Sequence, residues 1–242
     1  PGEFSTKAYQ TLFEHPGDML NSLGITMIVT VCGTVFGLLV TAMAAYVVAR
    51  PDFKYRNRFS FYFYFTTLFN GGLLSTYIFM VRYLNLKNSL LAVILPLAVN
   101  VFYMLILKSF MQGVPFSIIE SAKIDGAGEY RIFFQLVLPL TKAGLATVGL
   151  FLALDYWNDW YNAMLYLDEH ELYPLQYMLY NMMAAKQAIA RMAARSGIKV
   201  ANMPSNSLKM AMAIVAVAPV ILLYPFVQKY FVRGITIGAV KG

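Results

Sequence analysis

The chain has 242 residues, of which 59% are hydrophobic and only 13% are charged. Soluble domains are ordinarily about 45–50% apolar and about 25% charged, so the composition excludes an ordinary cytosolic enzyme, a disordered protein and a nucleic-acid-binding domain. The formal net charge of +7 then indicates basic loops on the cytoplasmic side of a membrane.

The first 23 residues form a polar segment that lacks the apolar core of a secretory signal. We expect residues 1–23 to be an outer segment that precedes the first membrane span. The Pro-Gly-Glu-Phe start resembles a cloning or trimming remnant more than a natural beginning.

Five apolar runs in the chain are long enough to cross a bilayer. About 30 Å of hydrocarbon requires roughly 20 helical residues, and lipid offers backbone groups no hydrogen-bond partner of its own. The runs cover residues 24–49, 59–81, 88–107, 143–167 and 210–228. The sequence therefore predicts an all-α fold, a polytopic transmembrane helical bundle with five spans.

Basic residues assign the loops to the two sides of the membrane. The loop 50–58 contains four of them, which are Arg50, Lys54, Arg56 and Arg58. The positive-inside rule places this loop in the cytoplasm. Alternation then places the loop 108–142 and the tail 229–242 in the cytoplasm, and the loops 82–87 and 168–209 outside.

Two of the predicted spans contain features beyond simple lipid anchoring. Small residues recur at every fourth position of the first span, at Gly33, Gly37, Thr41 and Ala45. Such a stripe lets another helix approach closely, and it serves either intrachain packing or a subunit interface. The sequence Asn70-Gly71-Gly72 interrupts the second span, which predicts either a kink for packing or a bend that lines a solute path.

The cytoplasmic loop 108–142 has the pattern of two short helices joined by a tight turn. Residues 117–124 predict an amphipathic helix, glycines at 126 and 128 break it, and residues 129–137 predict a second helix that Pro139 ends before the membrane. Short isolated helices are marginal in water, so the apolar face needs a partner. Docking onto another protein, which the fixed turn favours, and lying on the membrane surface are the alternatives.

The same loop resembles the EAA loop of ABC-importer permeases. The matching residues, at the spacing of that family, are Glu120-Ser121-Ala122, Asp125-Gly126-Ala127, Leu136 and Leu138-Pro139-Leu140. A serine and a leucine where the family has alanine and isoleucine are mild departures. The resemblance implies an ATPase-coupling role for Glu120, Ser121, Ala122, Asp125, Gly126, Ala127, Leu138 and Pro139.

Two further stretches resemble the second permease subunit of maltose-type importers, the MalG type. They are Tyr156-Trp157-Asn158-Asp159 and the C-terminal residues 228–242. The resemblance implies the type I ABC-importer permease fold within residues 24–242, a fold with six spans against the five counted here. Residues 69–72 and 203–206 are nearer to a sub-branch for larger or acidic oligosaccharides that includes an alginate importer.

The resemblance implies a subunit of a binding-protein-dependent ABC importer in the bacterial cytoplasmic (inner) membrane. Its partners would be a second homologous permease, two cytoplasmic ATPase subunits, an external sugar-binding protein and the lipid bilayer. Its solute would be a sugar or oligosaccharide, acidic ones included. The chain lacks a Gly-x4-Gly-Lys-Ser/Thr phosphate loop, so we expect ATP and Mg²⁺ to bind the ATPase subunits.

We expect this chain to have no enzymatic activity, cofactor, metal or nucleic-acid partner of its own. In MalG-type subunits the C-terminal tail contacts the ATPase, which here implies contacts by Gly238, Lys241 and Gly242. A frayed terminus is the alternative, since the tail is rich in small residues.

Aromatic and polar side chains cluster at the outer end of the predicted span 143–167. Aromatic faces stack on sugar rings, amides and carboxylates bond hydroxyl groups, and carboxylates inside a membrane usually face water or a partner. The candidate path residues are Asp155, Trp157, Asn158, Asp159 and Trp160, with Asn70 and Tyr77 elsewhere. An aromatic belt with its acids in interfacial water is the alternative.

The outer loop 168–209 is too long for a simple turn. Residues 184–194 favour a helix, which we expect to contact the binding protein. Its four cations, Lys186, Arg191, Arg195 and Lys199, could attract an acidic oligosaccharide or form a solvated face. A permease for a non-sugar solute and an ion-coupled secondary transporter are the remaining alternatives, although the latter would need an inverted repeat.

Overall fold

The structure, a computed structural model, describes residues 16–69, 71–195, 210–217, 219 and 221. Within these ranges the chain is helical and has no strand, which confirms the predicted all-α fold. The helices are α1 (Pro16–Ala49), α2 (Arg56–Leu68), α3 (Gly72–Ile78, continued by a π-helical turn Phe79–Tyr83), α4 (Leu90–Ile94, continued by a 3-10 turn Leu95–Leu97), α5 (Val101–Gln112), α6 (Phe116–Ile124), α7 (Glu129–Leu140, with a π-helical turn at Ile132–Val137), α8 (Lys142–Asn158), α9 (Tyr161–Tyr166) and α10 (Leu175–Arg195). Residues 210–217 are also helical.

Helix α1 is the central element of the bundle. It begins at Pro16 and carries Asp18 in its first turn, two residues that suit a helix N-terminus. The predicted boundary at residue 24 therefore lies inside this helix. Its most apolar window has a mean hydropathy of 2.3, and it packs most extensively against α5 and α8.

The stripe of small residues on α1 is the face that meets these neighbours. A Cβ on Gly33 would lie 2.6 Å from Cζ of Tyr156, and a Cβ on Gly37 would lie 3.1 Å from the carbonyl oxygen of Ala98. Thr41 donates to the same carbonyl oxygen at 3.5 Å. The stripe therefore serves intrachain packing. Large apolar side chains are exposed on the rest of the helix, among them Leu20, Met27, Ile28, Val31, Val35 and Phe36.

Three segments of the described chain have the length and composition of membrane spans, if bent pairs are counted as single spans. Helix α1 qualifies alone, α4 with α5 qualifies with a bend of 55°, and α7 with α8 qualifies with a bend of 85°. The predicted second span is divided into α2 and α3, and about half of the predicted span 210–228 lies outside the described residues.

The bend between α4 and α5 is built from local signals. Pro96 lies in the 3-10 turn that ends α4, and the side chain of Asn100 accepts a hydrogen bond from the Phe102 nitrogen at 2.9 Å, which caps the start of α5. The intervening Ala98 presents its carbonyl oxygen to α1. This bend therefore serves packing against α1.

Two expectations about helix ends are wrong. Pro139 does not end its helix, because the π-helical turn before it widens the backbone and α7 continues to Leu140. The chain instead turns at Thr141, whose nitrogen and hydroxyl both bond the Val137 oxygen. The predicted span 143–167 is likewise not continuous, since α8 ends at Asn158 and α9 follows as a separate helix.

Candidate coupling element and solute path

Helix α6, at the predicted cytoplasmic side, is amphipathic and is anchored by its inner face. Ile119 is only 5% exposed and belongs to the main hydrophobic core. Phe116 and Ala122 are half-buried against the same core. The inner apolar side of α6 thus finds its partner within this chain, and docking of the outer side onto another protein stays a prediction.

The outer face of α6 is free of intrachain packing. Glu120 and Ser121 are exposed, and Ile124 is 85% exposed. Glu120 and Ile124 lie at positions i and i+4, so their side chains share one face of the helix, and Ser121 lies beside that face. An anchored helix that presents a carboxylate, a hydroxyl and one bare apolar side chain is suited to fit a cleft in another protein.

The end of α6 is a glycine-dependent cap. Gly126 has a φ of +78°, a conformation that favours glycine. Its nitrogen donates to the Lys123 oxygen at 3.0 Å, and the Ala127 nitrogen donates to the Ala122 oxygen at 2.9 Å. These two bonds form a Schellman motif. The sequence-predicted tight turn at Gly126 is therefore present.

The other residues of the predicted coupling motif lie around this turn. Asp125 is exposed and Ala127 is half-buried. Leu138 is half-buried against the core, whereas Pro139 is exposed at the end of α7. The structure therefore places the motif on both sides of one bend, with its polar members facing outward.

Sequence reasoning missed a ring of four charges beside α6. Arg50 lies 2.5 Å from Asp52 and 2.9 Å from Glu129, and Lys123 lies 2.9 Å from Asp52 and 3.0 Å from Glu129. The bonds from Arg50, opposed by partial burial and reinforced by Lys123, hold the pKa of Asp52 well below its usual range. Bonds to Asp52 and Glu129 raise the pKa of Lys123. The only sequence signal for this ring was the basic loop 50–58. It predicted the side of the membrane but not which acids the cations bind.

The two candidate path carboxylates lie at the end of α8, one in its last turn and one at its C-cap. Asp155 lies on α8 and accepts a hydrogen bond from the Tyr103 hydroxyl at 2.8 Å. Asp159 lies beyond the end of α8 and accepts bonds from the Asn162 nitrogen at 3.1 Å and from Asn162 Nδ2 at 2.9 Å. Asp159 is the C-cap residue and has a φ of −75°, so its Cβ keeps the helical direction at position i+4 from Asp155, and the chain leaves the helix only after it.

Two of the candidate aromatic residues pack inside the chain. Trp157 is buried, and its indole nitrogen donates to the Ala216 oxygen at 3.0 Å. Tyr77 is half-buried and stacks on the buried Tyr166, with ring centroids 5.9 Å apart. Trp157 is therefore closed to a sugar in this structure, and Tyr77 has one face covered by Tyr166.

Trp160 differs from these aromatic residues because it is partly open. It is 38% exposed and stacks on Tyr180 of α10, itself 41% exposed, with centroids 4.5 Å apart. Both rings line a cavity of about 300 Å³ together with Gln176 and Met183. The exposed Asn158 accepts a hydrogen bond from Gln176 at 3.3 Å. The result is an aromatic platform edged by amides.

Helix α10 is the outer helix that the sequence predicted, although it begins earlier, at Leu175. Gln187 and Arg191 follow Tyr180 at helical spacing along one side of it and are exposed. Arg195, in its last turn, is also exposed. The helix therefore carries an aromatic ring, amides and guanidinium groups.

Some predicted site residues lie outside the described residues. They are Asn70, Lys199 and the tail residues Gly238, Lys241 and Gly242. Within the described ranges, no three His, Cys, Asp or Glu side chains are grouped so that they could hold a metal ion.

Comparison with known proteins gives relatives along the whole chain, although no protein-family model matches it. The chain is 39% identical over 242 residues to the polygalacturonan/rhamnogalacturonan transport system permease protein YtcP of Bacillus subtilis (strain 168), a match that covers 100% of this chain and 84% of YtcP. It is 37% identical over 244 residues to protein LplC of the same organism, covering 100% of this chain and 81% of LplC. It also resembles a chain in the crystal structure of a bacterial ABC transporter involved in the import of the acidic polysaccharide alginate. That match has a TM-score of 0.80 and 28% identity, and covers 96% of this chain and 81% of the other.

Proposed function

The chain belongs to the permease subunits of carbohydrate ABC transporters, and from this membership we propose that it forms, with a second permease, the membrane path of an importer for acidic oligosaccharides. Two cytoplasmic ATPase subunits bind and hydrolyse ATP, and an external binding protein delivers the sugar. The bacterial inner membrane holds the assembly. Its cytoplasmic side contains α6 and the tail 229–242, which reaches the ATPase through Gly238, Lys241 and Gly242.

The geometry of α6 is the observation that carries the coupling role. The helix is fixed to its own chain by Ile119 and ended by Gly126, while Glu120, Ser121 and Ile124 face outward. A helix held on one side moves together with whatever grips its other side. Closure of the ATPase pair would therefore move α6 as a rigid body and bias the bundle between two states.

Exposed apolar surface supports a second permease and a lipid environment. None of the residues of α2 is buried, although this helix contains six aromatic rings from Phe59 to Phe65. Monomeric soluble proteins rarely expose large contiguous apolar patches. We assign the faces of α1 and α2 to lipid and to the partner permease.

Cross-linking tests the coupling role directly. In a Cys32→Ala background, needed because Cys32 is exposed, an Ile124→Cys variant of the complete transporter should cross-link to an ATPase subunit. Tyr83→Cys is the matched control, because Tyr83 is 78% exposed but lies on the predicted outer side. Capture of an ATPase subunit from position 83 alone, or from neither position, would contradict the proposal.

The platform of Trp160 and Tyr180 is proposed as a contact of this chain with the sugar. Apolar faces of sugar rings stack on aromatic side chains; aromatic pairs gain about 0.5–1.5 kcal/mol beyond the buried area, and we take the same magnitude for the sugar. Trp160→Leu should therefore raise the half-saturating sugar concentration for uptake by about twofold to tenfold, whereas Trp160→Phe should retain most of the affinity. Equal values for leucine and phenylalanine would exclude stacking.

The acidic nature of the solute is supported by two relatives and by the charge of α10. The relatives transport polygalacturonan or rhamnogalacturonan and alginate, and α10 exposes Arg191 and Arg195 near its end. Cations attract anionic solutes over about 8 Å at physiological ionic strength. Changing both arginines to Gln should slow uptake of oligogalacturonate at low salt but not uptake of a neutral oligosaccharide of equal length. Arg82→Gln, at an exposed arginine off this helix, is the control, and equal slowing of both sugars would refute the steering.

A further inference from the structure

We propose that the ring of four charges formed by Arg50, Asp52, Lys123 and Glu129 is the mechanical link between α6 and the membrane helix α1. The inference rests on the proposed function, because the ring transmits movement only if an ATPase moves α6. The ring makes Arg50 and Lys123 positioning residues, which act on transport through the helices that they join.

The ring connects three separate elements of the chain. Arg50 is the first residue after α1, and its guanidinium bonds both carboxylate oxygens of Asp52, at 2.7 and 2.5 Å. The same group bonds both oxygens of Glu129, the first residue of α7, at 2.9 and 3.3 Å. Lys123, in the last turn of α6, contacts both acids. Each acid therefore touches both cations, and the four charges sum to zero.

Burial, two aromatic rings and hydrogen bonds together fix the position of the Arg50 side chain. It is only 6% exposed, and its guanidinium carbon lies 5.3 Å from the ring centre of Tyr46 and 5.7 Å from that of Phe116. The guanidinium also donates to the Tyr46 hydroxyl, which in turn donates to Glu129 at 2.7 Å. A planar group with five donors can satisfy these partners at once, whereas a lysine ammonium offers a single point of charge.

Apolar packing alone leaves this junction incomplete. A cavity of about 490 Å³ lies between the ends of α1 and α5 and the start of α6, and it is lined by Arg50, Met111, Gln112, Phe116 and Ile119. The space is open to the surface and far larger than a water molecule, so the side chains on its two sides do not touch across it. Directional bonds of the ring therefore fix the position of α6 relative to α1 at this side of the bundle.

The test measures the amount of sugar imported per ATP hydrolysed by the complete transporter in proteoliposomes. Arg50→Gln should lower this ratio at least fivefold, and Arg50→Lys should lower it less, because the charge remains but the fork is lost. Arg58→Gln is the control, since the exposed Arg58 lies over the Tyr55 ring and does not belong to the ring of charges. Its ratio should equal that of the unmodified protein.

The ratio separates transmission from a merely structural effect. A variant that only assembles poorly lowers import and hydrolysis together and leaves the ratio unchanged. A second variant, Lys123→Gln combined with Asp52→Asn, removes one cation and one anion and keeps the pair of Arg50 and Glu129. It should lower the ratio even if Arg50→Gln fails to assemble.

The outcomes distinguish this inference from the proposed function. An unchanged ratio in either variant, in complexes where the unmodified protein couples sugar import to ATP hydrolysis, overturns the link and leaves the proposed function intact. Absence of sugar-dependent ATP hydrolysis in the unmodified complex overturns both. A lowered ratio in each of the two variants that assembles, with an unchanged ratio in Arg58→Gln, supports the link.

Discussion

Replacement of Gly126 by alanine should loosen the end of the coupling helix. Gly126 has a φ of +78°, and a Cβ built on it would meet no atom within 4 Å. The cost is therefore conformational and not steric. Holding a residue with a side chain in the left-handed region costs about 1–2 kcal/mol, which corresponds to an approximately 5-fold to 30-fold shift away from this turn.

The assay is sugar-stimulated ATP hydrolysis by the reconstituted complex, measured together with cross-linking from Ile124→Cys. The rate of ATP hydrolysis and the cross-linking yield should both fall in Gly126→Ala. They should fall less in Gly126→Asn, because asparagine tolerates the left-handed region better. Gly128→Ala is the matched control, since Gly128 is two residues away, has a φ of −72° and also leaves a Cβ without neighbours. Wild-type values in Gly126→Ala, or an equal loss in Gly128→Ala, would refute the reasoning.

Two further predictions concern packing and pH. Gly33→Ala should lower the free energy of unfolding in detergent by roughly 1–3 kcal/mol, because the new Cβ would press on the Tyr156 ring. Gly24→Ala is the control and should not lower it, because a Cβ on Gly24 would have no atom within 4 Å. Equal melting temperatures of the two variants would contradict this prediction. The amount of sugar imported per ATP hydrolysed should be constant from about pH 5 to about pH 9. The lowered pKa of Asp52 keeps the ring charged until the pH falls below the usual value of 3.8, and the raised pKa of Lys123 keeps it charged until the pH rises above 10.5. A titration midpoint between these limits would contradict the assigned charges.

Local rules explain what could be predicted within the coupling loop. The amphipathic spacing of residues 117–124 and the glycine after them are properties of adjacent residues, and the structure has a helix at Phe116–Ile124 with a positive φ at Gly126. The partner of the apolar face was not predictable in this way. Ile119 is covered by distant parts of the same chain, and hydrophobicity does not state which surface will cover a side chain.

Helix ends inside the apolar runs were harder to predict than the runs themselves. The run from residue 143 to residue 167 is long enough for one span, yet α8 ends at Asn158, within the polar outer part of the run. Asp159 accepts two hydrogen bonds from Asn162 just beyond that end, and this local competition by a short polar side chain separates α9 from α8. Apolar content alone predicts one continuous span through this residue.

The sequence by itself determined that the chain is an all-α membrane protein with an EAA-type loop, because apolar content, helical spacing and the demand for glycine at a left-handed turn all act over a few neighbouring residues. Only the tertiary structure decided that Trp157 is buried while Trp160 stacks on Tyr180, and that Arg50 bonds Glu129, 79 positions away. Ion pairs and ring contacts form between whatever the folded backbone brings within a few ångströms. Their partners depend on how helices cross, which no stretch of neighbouring residues encodes.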